Sequence, residues 1–232
     1  AGWFKNHEPL GPGTQLLTKW VPKPGPASEQ EVRDAVQRSL DRKVCNTLNN
    51  CCIPRRAADR LVPVFLASLQ AAAAARNTNF KLHVAEGDAD CVPARLFETQ
   101  AEIIRADGPQ QEFQAETIGI ADFGEEWEWE ESPEVTLILV DSMDEAIDLF
   151  NTYSPRLVAT LISADTAEQT YFWQRARSPF VGDSHTRWVD GQFALSKPEL
   201  GLSNWANGRL FGRSAILTGD SVYTVRTRYI SS

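Results

Sequence analysis

One cysteine of this sequence lies in a setting that favours reactivity. Cys45 belongs to the segment KVCNTLNN, which follows a predicted helix and consists mainly of small polar residues. Arg42 and Lys43 precede it closely enough to favour a thiolate, which is the nucleophilic form of cysteine. The alternative is a small buried apolar residue, which is the commoner role of cysteine in intracellular proteins. Both interpretations stay open at this point.

The other cysteines are weaker candidates. Cys51 and Cys52 adjoin Ile53 in a run that predicts a buried strand, so a structural role is expected for both. Cys91 lies in a polar loop, and its position favours no particular role. The spacing of the four cysteines contains no pair of Cys-x-x-Cys motifs and suits no disulfide scaffold, so neither zinc nor cross-links are predicted.

Three further groups have residue types that occur in active sites. The acidic segment DFGEEWEWEESPE at 122–134 could supply a paired acid and base, but a solvated acidic edge is the favoured interpretation. The tripeptide DSH at 183–185 has the residue types of a hydrolase triad, although adjacent side chains seldom converge, and we reject a serine hydrolase. His7 and His83 have no partner at metal-ligand spacing, so no metal site is expected.

The elements around Cys45 can be predicted from periodicity. Ser28 with Glu31 forms a capping-box pattern, and the apolar residues that follow predict a helix over 29–41. Pro54 opens a second helix, which the alanines at 71–75 prolong. Residues 1–27, rich in glycine and proline, are expected to form an extended N-terminal arm, although their apolar run at 16–21 could be a strand.

The second half of the chain alternates between strand and helix patterns. Two continuous apolar runs have the character of strands buried on both faces, and each is followed by a capped helix. This alternation predicts an α/β fold of three layers, with a parallel sheet between helices, and places the active site at the carboxyl ends of the strands. The elements are a strand at 135–140, a helix capped by Ser142 and Glu145, a strand at 157–162, a helix capped by Asp165 and Glu168, and a strand at 180–181.

The C-terminal pattern is different. VYTVRTRYI at 222–230 alternates between Tyr, Val and Thr on one face and two arginines on the other, which predicts a half-exposed strand outside the parallel sheet. Such a strand could pair with a second copy, so we expect a homodimer. The predicted divisions of the chain are therefore the arm at 1–27, a catalytic domain at 28–215 and an oligomerisation strand at 216–232.

Composition limits the partners. The chain has 23 Lys and Arg against 31 Asp and Glu, and the formal charge of −8 argues against nucleic acid and anionic membranes as partners. The longest uncharged apolar stretch, 61–75, is too short to cross a bilayer. The N-terminus lacks the pattern of a secretory signal, so a cytoplasmic location is expected.

Four segments in order give the sequence a family resemblance. They are VCN at 44–46, VDSMDEAIDLFNTYSPRLVATLISAD at 140–165, HTRWVDG at 185–191 and PELGLS at 198–203. Through them the chain resembles the C-terminal catalytic part of glutamate-5-semialdehyde dehydrogenase (γ-glutamyl phosphate reductase), in the aldehyde dehydrogenase superfamily. The resemblance extends from about residue 30 to the end.

The resemblance implies a reaction and a set of roles. In the family, a cysteine thiolate displaces phosphate from γ-glutamyl phosphate, and NADPH reduces the resulting thioester to the semialdehyde in proline biosynthesis. The implied roles are Cys45 as nucleophile, Asn46 near the oxyanion, Ser184, Thr186 and Arg187 around the small-molecule substrate, and Glu130 facing the cofactor ribose. Arg187 suits a carboxylate because its guanidinium is a bidentate donor.

The departures from the family pattern are also informative. Asn49 and Asn50 stand where the family has a Glu-Thr pair, and Asp183 and His185 replace an Asn and a Ser. The sequence has no G-x-G-x-x-G loop, and 44 residues precede Cys45 where the family has a cofactor domain. The chain is expected to be either a fragment of a longer enzyme or a free-standing relative of the catalytic domain. We therefore expect no NADP binding by this chain alone. A non-catalytic binding or assembly module derived from a dehydrogenase is the alternative.

Overall fold

A computed structural model describes residues 15–19, 26–192, 199–200, 205–206, 209–210, 215–216 and 226–231. The α-helices are α1 (Pro26–Ser39), α2 (Ala58–Ala75), α3 (Arg95–Glu98), α4 (Met143–Tyr153) and α5 (Thr166–Arg175). The strands are β1 (Gln15–Lys19), β2 (Asn50–Pro54), β3 (Lys81–Ala85), β4 (Gln100–Arg105), β5 (Gly108–Phe113), β6 (Ala115–Ile118), β7 (Glu134–Val140), β8 (Val158–Ile162), β9 (Phe180–Gly182), β10 (Glu199–Leu200), β11 (Trp205–Ala206), β12 (Arg209–Leu210), β13 (Ala215–Ile216) and β14 (Thr227–Arg228).

Eight strands form a parallel sheet. Their order is β14-β9-β8-β1-β2-β7-β3-β6, and each neighbouring pair is parallel. The predicted strands of the second half are β7, β8 and β9, which confirms the parallel α/β class. The hairpin of β4 and β5 is antiparallel, as are the short pairs β10 with β13 and β11 with β12.

The two faces of this sheet are covered by different helices. Along β7, Val135, Leu137 and Leu139 join an apolar cluster with α1 and α2, while Ile138 and Val140 join a second cluster with α4 and α5. Successive side chains of a strand point to opposite faces, so this division shows one core on each side. The three-layer prediction is confirmed.

The strand β1 occupies the middle of the sheet. Its residues pair with β2 on one side and with β8 on the other. It falls inside the range that the sequence predicted as an extended arm, and of the two alternatives for the apolar run at 16–21 the structure has the strand. Local propensity could not place it, because both of its partners lie far away in sequence.

Two of the three predicted helix caps, Ser142 and Asp165, are confirmed, whereas Ser28 lies inside α1 and is not its N-cap. The Ser142 hydroxyl accepts a hydrogen bond from the Glu145 amide at 3.1 Å, and the Asp165 carboxylate accepts from the amides of Ala167 and Glu168. Helix α1 begins three residues before the predicted start and ends two residues before the predicted end. Pro54 ends β2 rather than opening a helix, and a 3₁₀ turn at Arg55–Ala57 precedes α2.

The C-terminal strand requires a correction. β14 pairs in parallel with β9 inside the main sheet, whereas the sequence placed it outside that sheet. The predicted alternation holds for the described residues: Tyr229 stacks on Trp188 on one side, and Arg226 lies over the Trp173 ring on the other. Residues 222–225 lie outside the described residues. β14 is the edge of the sheet, and its role in a dimer stays a prediction.

Charged side chains attach the β4–β5 hairpin to the sheet. Arg105 pairs with Glu112 of the same hairpin at 2.8 Å and with Glu134 of β7. Buried Lys81 of β3 reaches Glu112 at 3.4 Å and Glu116 at 3.2 Å. Within the described part of the chain, no helix is long and apolar enough to span a membrane.

Candidate functional site around Cys45

The loop that contains Cys45 is a compact turn between α1 and β2. The Thr47 hydroxyl accepts a hydrogen bond from the Val44 amide at 2.8 Å and donates one to the Arg42 carbonyl at 2.7 Å. The Leu48 amide donates to the Ser39 carbonyl at 3.1 Å, which joins the end of the loop to the end of α1. The polar residues that suggested a loop therefore hold its backbone in one conformation.

Cys45 is partly buried against an apolar cluster. The cluster consists of Leu157, Val158, Phe180, Trp188 and Val189, at the start of β8, the start of β9 and the following 3₁₀ helix at Thr186–Gln192. These are the amino ends of the strands, whereas the sequence predicted an active site at the carboxyl ends. The reason is geometric. β1 ends at the carboxyl ends of the parallel strands, and α1 runs back to their amino ends, where the Cys45 loop precedes β2.

The 3₁₀ helix contacts the cysteine loop through predicted site residues. The Arg187 guanidinium donates to the Asp41 carboxylate at 2.7 Å and to the Arg42 carbonyl at 3.1 Å. The Thr186 amide donates to the Ser39 hydroxyl at 2.9 Å. The structure thus brings VCN and HTRW together, and it engages the Arg187 side chain in bracing the loop.

Several polar atoms around this loop are buried and lack a partner. In the described part of the chain, no hydrogen bond reaches the Asn46 side-chain carbonyl, the Thr186 hydroxyl or the Trp188 indole N–H. All three residues are buried. An unsatisfied buried polar group costs about 1–3 kcal/mol, which is a cost often found where a ligand completes the hydrogen bonding. The Thr186 hydroxyl and the Trp188 indole N–H can donate to the oxygen of a reacting carbonyl, whereas the Asn46 side-chain carbonyl can only accept.

Ser184 and His185 have a different arrangement from a hydrolase pair. An Arg38 nitrogen lies 3.1 Å from His185 Nε2, and because arginine only donates, Nε2 accepts and the proton is on Nδ1. The Ser184 hydroxyl, 3.3 Å from Nδ1, is then an acceptor. Burial, with the charges of Arg38 and Arg187, lowers the pKa of His185 to about 4. His185 therefore cannot take the serine proton.

The remaining cysteines are poor nucleophiles. Burial raises the pKa of Cys51 to about 12 and raises that of Cys52 well above its usual range. Both lie in β2, as predicted. Burial also raises the pKa of half-buried Cys91 to about 11. These three thiols are protonated near neutral pH.

The acidic segment is more than the solvated edge that the sequence suggested. Trp127 stacks on buried His83 with ring centroids 3.6 Å apart, and its indole N–H donates to the Thr136 hydroxyl at 2.8 Å. Glu126 pairs with Lys43 of the cysteine loop at 2.8 Å, and burial raises the pKa of this carboxyl. The segment covers β3 and β7 and reaches the cysteine loop through Glu126. The two tryptophans between its acids were the signal for burial.

The predicted cofactor contact, Glu130, lies at the surface, and its role stays a prediction. Glu130 is exposed, and its backbone carbonyl accepts a hydrogen bond from Arg76 at 3.1 Å.

The described helices of eight residues or more have acidic residues in their first turns. These are Glu29, Asp59, Asp144, Glu145 and Glu168. Carboxylates at these positions repel a pyrophosphate, so the described residues do not fit a dinucleotide. The same residues contain no group of three or more potential metal ligands.

Comparison with known proteins places the fold. No family model matches the sequence, and no curated protein matches it. Among solved structures, γ-glutamyl phosphate reductase from Thermotoga maritima aligns with 84% of this chain at 16% identity and a TM-score of 0.54. The Saccharomyces cerevisiae γ-glutamyl phosphate reductase aligns with 78% at 17% identity (TM-score 0.47), and an engineered glycolyl-CoA reductase with bound NADP+ aligns with 93% at 15% identity (TM-score 0.46).

These neighbours show the fold alone. It is a fold similar to that of the T. maritima γ-glutamyl phosphate reductase, which aligns with this chain at a TM-score of 0.54. The chain spans 39% of the T. maritima protein, 38% of the yeast protein and 48% of the engineered reductase.

Proposed function

We propose that this chain is the catalytic part of a cysteine-dependent acyl phosphate reductase, acting on γ-glutamyl phosphate with NADP in proline biosynthesis. The observation that supports this most directly is the meeting of two segments that lie 140 residues apart in sequence. The Thr186 amide donates to Ser39 at the end of α1, and the Arg187 guanidinium donates to Asp41 in the Cys45 loop. The four segments shared with the family are the further support.

The acyl-transfer half of the reaction can be assigned to residues of this chain. The Cys45 thiolate attacks the carbonyl carbon of the acyl phosphate, the carbon–oxygen bond to phosphate breaks, and phosphate leaves with the electron pair. The product is a thioester on Cys45. The Thr186 hydroxyl and the Trp188 indole N–H, both buried without a partner in the described residues, are our candidate donors to the developing oxyanion.

The reductive half requires a hydride from NADPH. Because the described residues do not fit a pyrophosphate, we assign no residue of this chain to the hydride step. The prediction that the chain alone binds no NADP can be tested by calorimetric titration. Binding in the micromolar range would contradict it.

The acyl-transfer half can be tested without a cofactor. Purified chain is incubated with acetyl phosphate, and intact mass spectrometry with peptide mapping locates the acetyl group. We expect one acetyl thioester on Cys45, absent from Cys45→Ala and retained in Cys91→Ser. Failure to acylate Cys45 while the fold is intact would favour the non-catalytic assembly module.

The assembly proposed with this function is a homodimer through the edge strand β14. Among the described strands, β14 has a neighbour, β9, on one side only, and a sheet edge of this kind readily adds a strand from a second copy. Multi-angle light scattering at tens of micromolar tests it. A monomer at that concentration would overturn this part of the proposal.

A further inference from the structure

A cleft lies at the carboxyl ends of the strands, whereas Cys45 lies at their amino ends. It has a volume of about 640 Å³ and is lined by residues that follow β8, β9 and β14, with α1 and α5 as its walls. After β8 the chain enters α5 on one face, whereas after β9 it enters the 3₁₀ helix on the other face. In open α/β sheets, the crevice at such a divergence is where ligands bind.

The cleft contains the Arg38 guanidinium, which forms no ion pair within the described part of the chain. Arg38 donates to neutral His185, which uses one of its five N–H groups. In the described part of the chain no carboxylate pairs with Arg38, although Asp34 lies one helical turn before it. His185 in turn directs its Nδ1–H at Ser184, whose own proton is then available to a ligand. Arg38 and Ser184 therefore present donors to the same space.

Acidic residues line the cleft on both sides of it. Glu31 and Asp34 are on α1, the same helix as Arg38, and Asp183 follows β9. Asp183 is engaged by the Ser231 amide at 2.7 and 2.8 Å, and one oxygen of Asp34 accepts from Gln30 at 2.7 Å. Among the described lining residues, the Asp34 and Asp183 carboxylates near Arg38 disfavour a dianion such as phosphate. They suit a ligand that has both a carboxylate and an ammonium group.

We propose that this cleft binds a free amino acid. The ligand carboxylate is held by Arg38 and Ser184, and the ammonium group faces the Asp34 carboxylate. An arginine matches a carboxylate in two parallel hydrogen bonds, and these are stronger than neutral ones. The inference does not depend on the proposed reaction, because Cys45 does not line this cleft.

The test is a titration of the full chain with L-alanine, monitored by two-dimensional amide NMR. We expect saturable shifts at the amides of 183–185 and 163–164, with at least tenfold weaker binding in Arg38→Gln. Arg33→Gln on the same helix, which removes a charge outside the cleft, is the matched control and is expected to bind as the parent chain does. Asp34→Asn is expected to weaken L-alanine binding and to leave acetate binding unchanged.

Three results would overturn the inference. They are undiminished L-alanine binding in Arg38→Gln, tighter binding of phosphate than of L-alanine, and acetate or ethylammonium binding as tightly as the complete zwitterion. Cys45→Ala separates this inference from the proposed function, since it is expected to abolish acylation and to leave the L-alanine titration unchanged.

Discussion

Cys45 and the Cys51–Cys52 pair lie within eight residues of each other and have opposite environments. Cys45 is partly exposed in a turn held by side-chain hydrogen bonds, whereas Cys51 and Cys52 are buried on opposite faces of β2. Burial raises the pKa of Cys51 to about 12, which leaves about one thiolate in 10⁵ at pH 7. The reactivity of each thiol in this part of the chain therefore depends on whether the cysteine lies in the turn or in the buried strand β2.

The variant with the largest expected effect removes Trp188, which belongs to the apolar cluster against which Cys45 packs. Trp188 is fully buried and stacks on Tyr229 with ring centroids 5.1 Å apart. Trp188→Ala is expected to lower the free energy of unfolding by about 3–5 kcal/mol, because it leaves a large cavity. Urea denaturation measures this. Trp173→Ala, which removes a partly buried ring on the other face, is the control with a smaller expected loss.

A smaller test breaks the hydrogen bond between α1 and the 3₁₀ helix. Ser39→Ala leaves the buried Thr186 amide without its acceptor and is expected to cost about 1–3 kcal/mol of stability. It is also expected to speed the modification of Cys45, since the loop is held less firmly. Gln37→Ala, a half-buried residue of the same helix, is the control. Equal stability of the two variants would show that this contact does not hold the loop.

His185 predicts a pH dependence. Its pKa is about 4 in the folded chain and about 6.5 when unfolded, so the unfolded chain binds the extra proton between these values. The contribution to stability is complete above pH 6.5 and is lost as the pH falls towards 4, at up to about 1.4 kcal/mol per pH unit. His185→Gln should lack this component. Identical pH profiles for the two proteins would contradict the assignment.

The smallest effect is expected at the ion pair beside the loop. Lys43 pairs with Glu126 at 2.8 Å, and both side chains are mostly buried. Lys43→Gln removes a positive charge two residues from Cys45 and is expected to slow alkylation of Cys45 a few-fold. Lys19→Gln, which changes a lysine distant in sequence, is the control for net charge. Faster alkylation would show that Lys43 acts by covering the thiol.

The features that depend on local sequence were predictable. The buried runs of β7 and β8 and the capping residues Ser142 and Asp165 follow from periodicity and side-chain chemistry within a few residues. The position of β1 was not predictable in this way, because its neighbours β2 and β8 are distant in sequence.

The candidate site also has features that could be predicted from neighbouring residues and features that could not. The reactive setting of Cys45 could be inferred from its flanking residues, whereas the cover over the neighbouring sheet could not. The stacking of Trp127 on His83 joins residues 44 positions apart, and the acidic residues around Trp127 obscured its burial. The hydrogen bond from Arg187 to Asp41 joins residues 146 positions apart, so it could not be found from the sequence; the substrate contact that the resemblance implies for Arg187 stays a prediction.

The most direct test of the account is the order in which the four thiols react. Folded chain is treated briefly with iodoacetamide at neutral pH, and peptide mapping measures the modified fraction at each cysteine. We predict that Cys45 reacts well before Cys91, and that Cys51 and Cys52 remain unmodified until the chain unfolds. Modification of Cys45 at the rate of Cys91 or more slowly, in chain whose fold is intact, would contradict its role as the nucleophile.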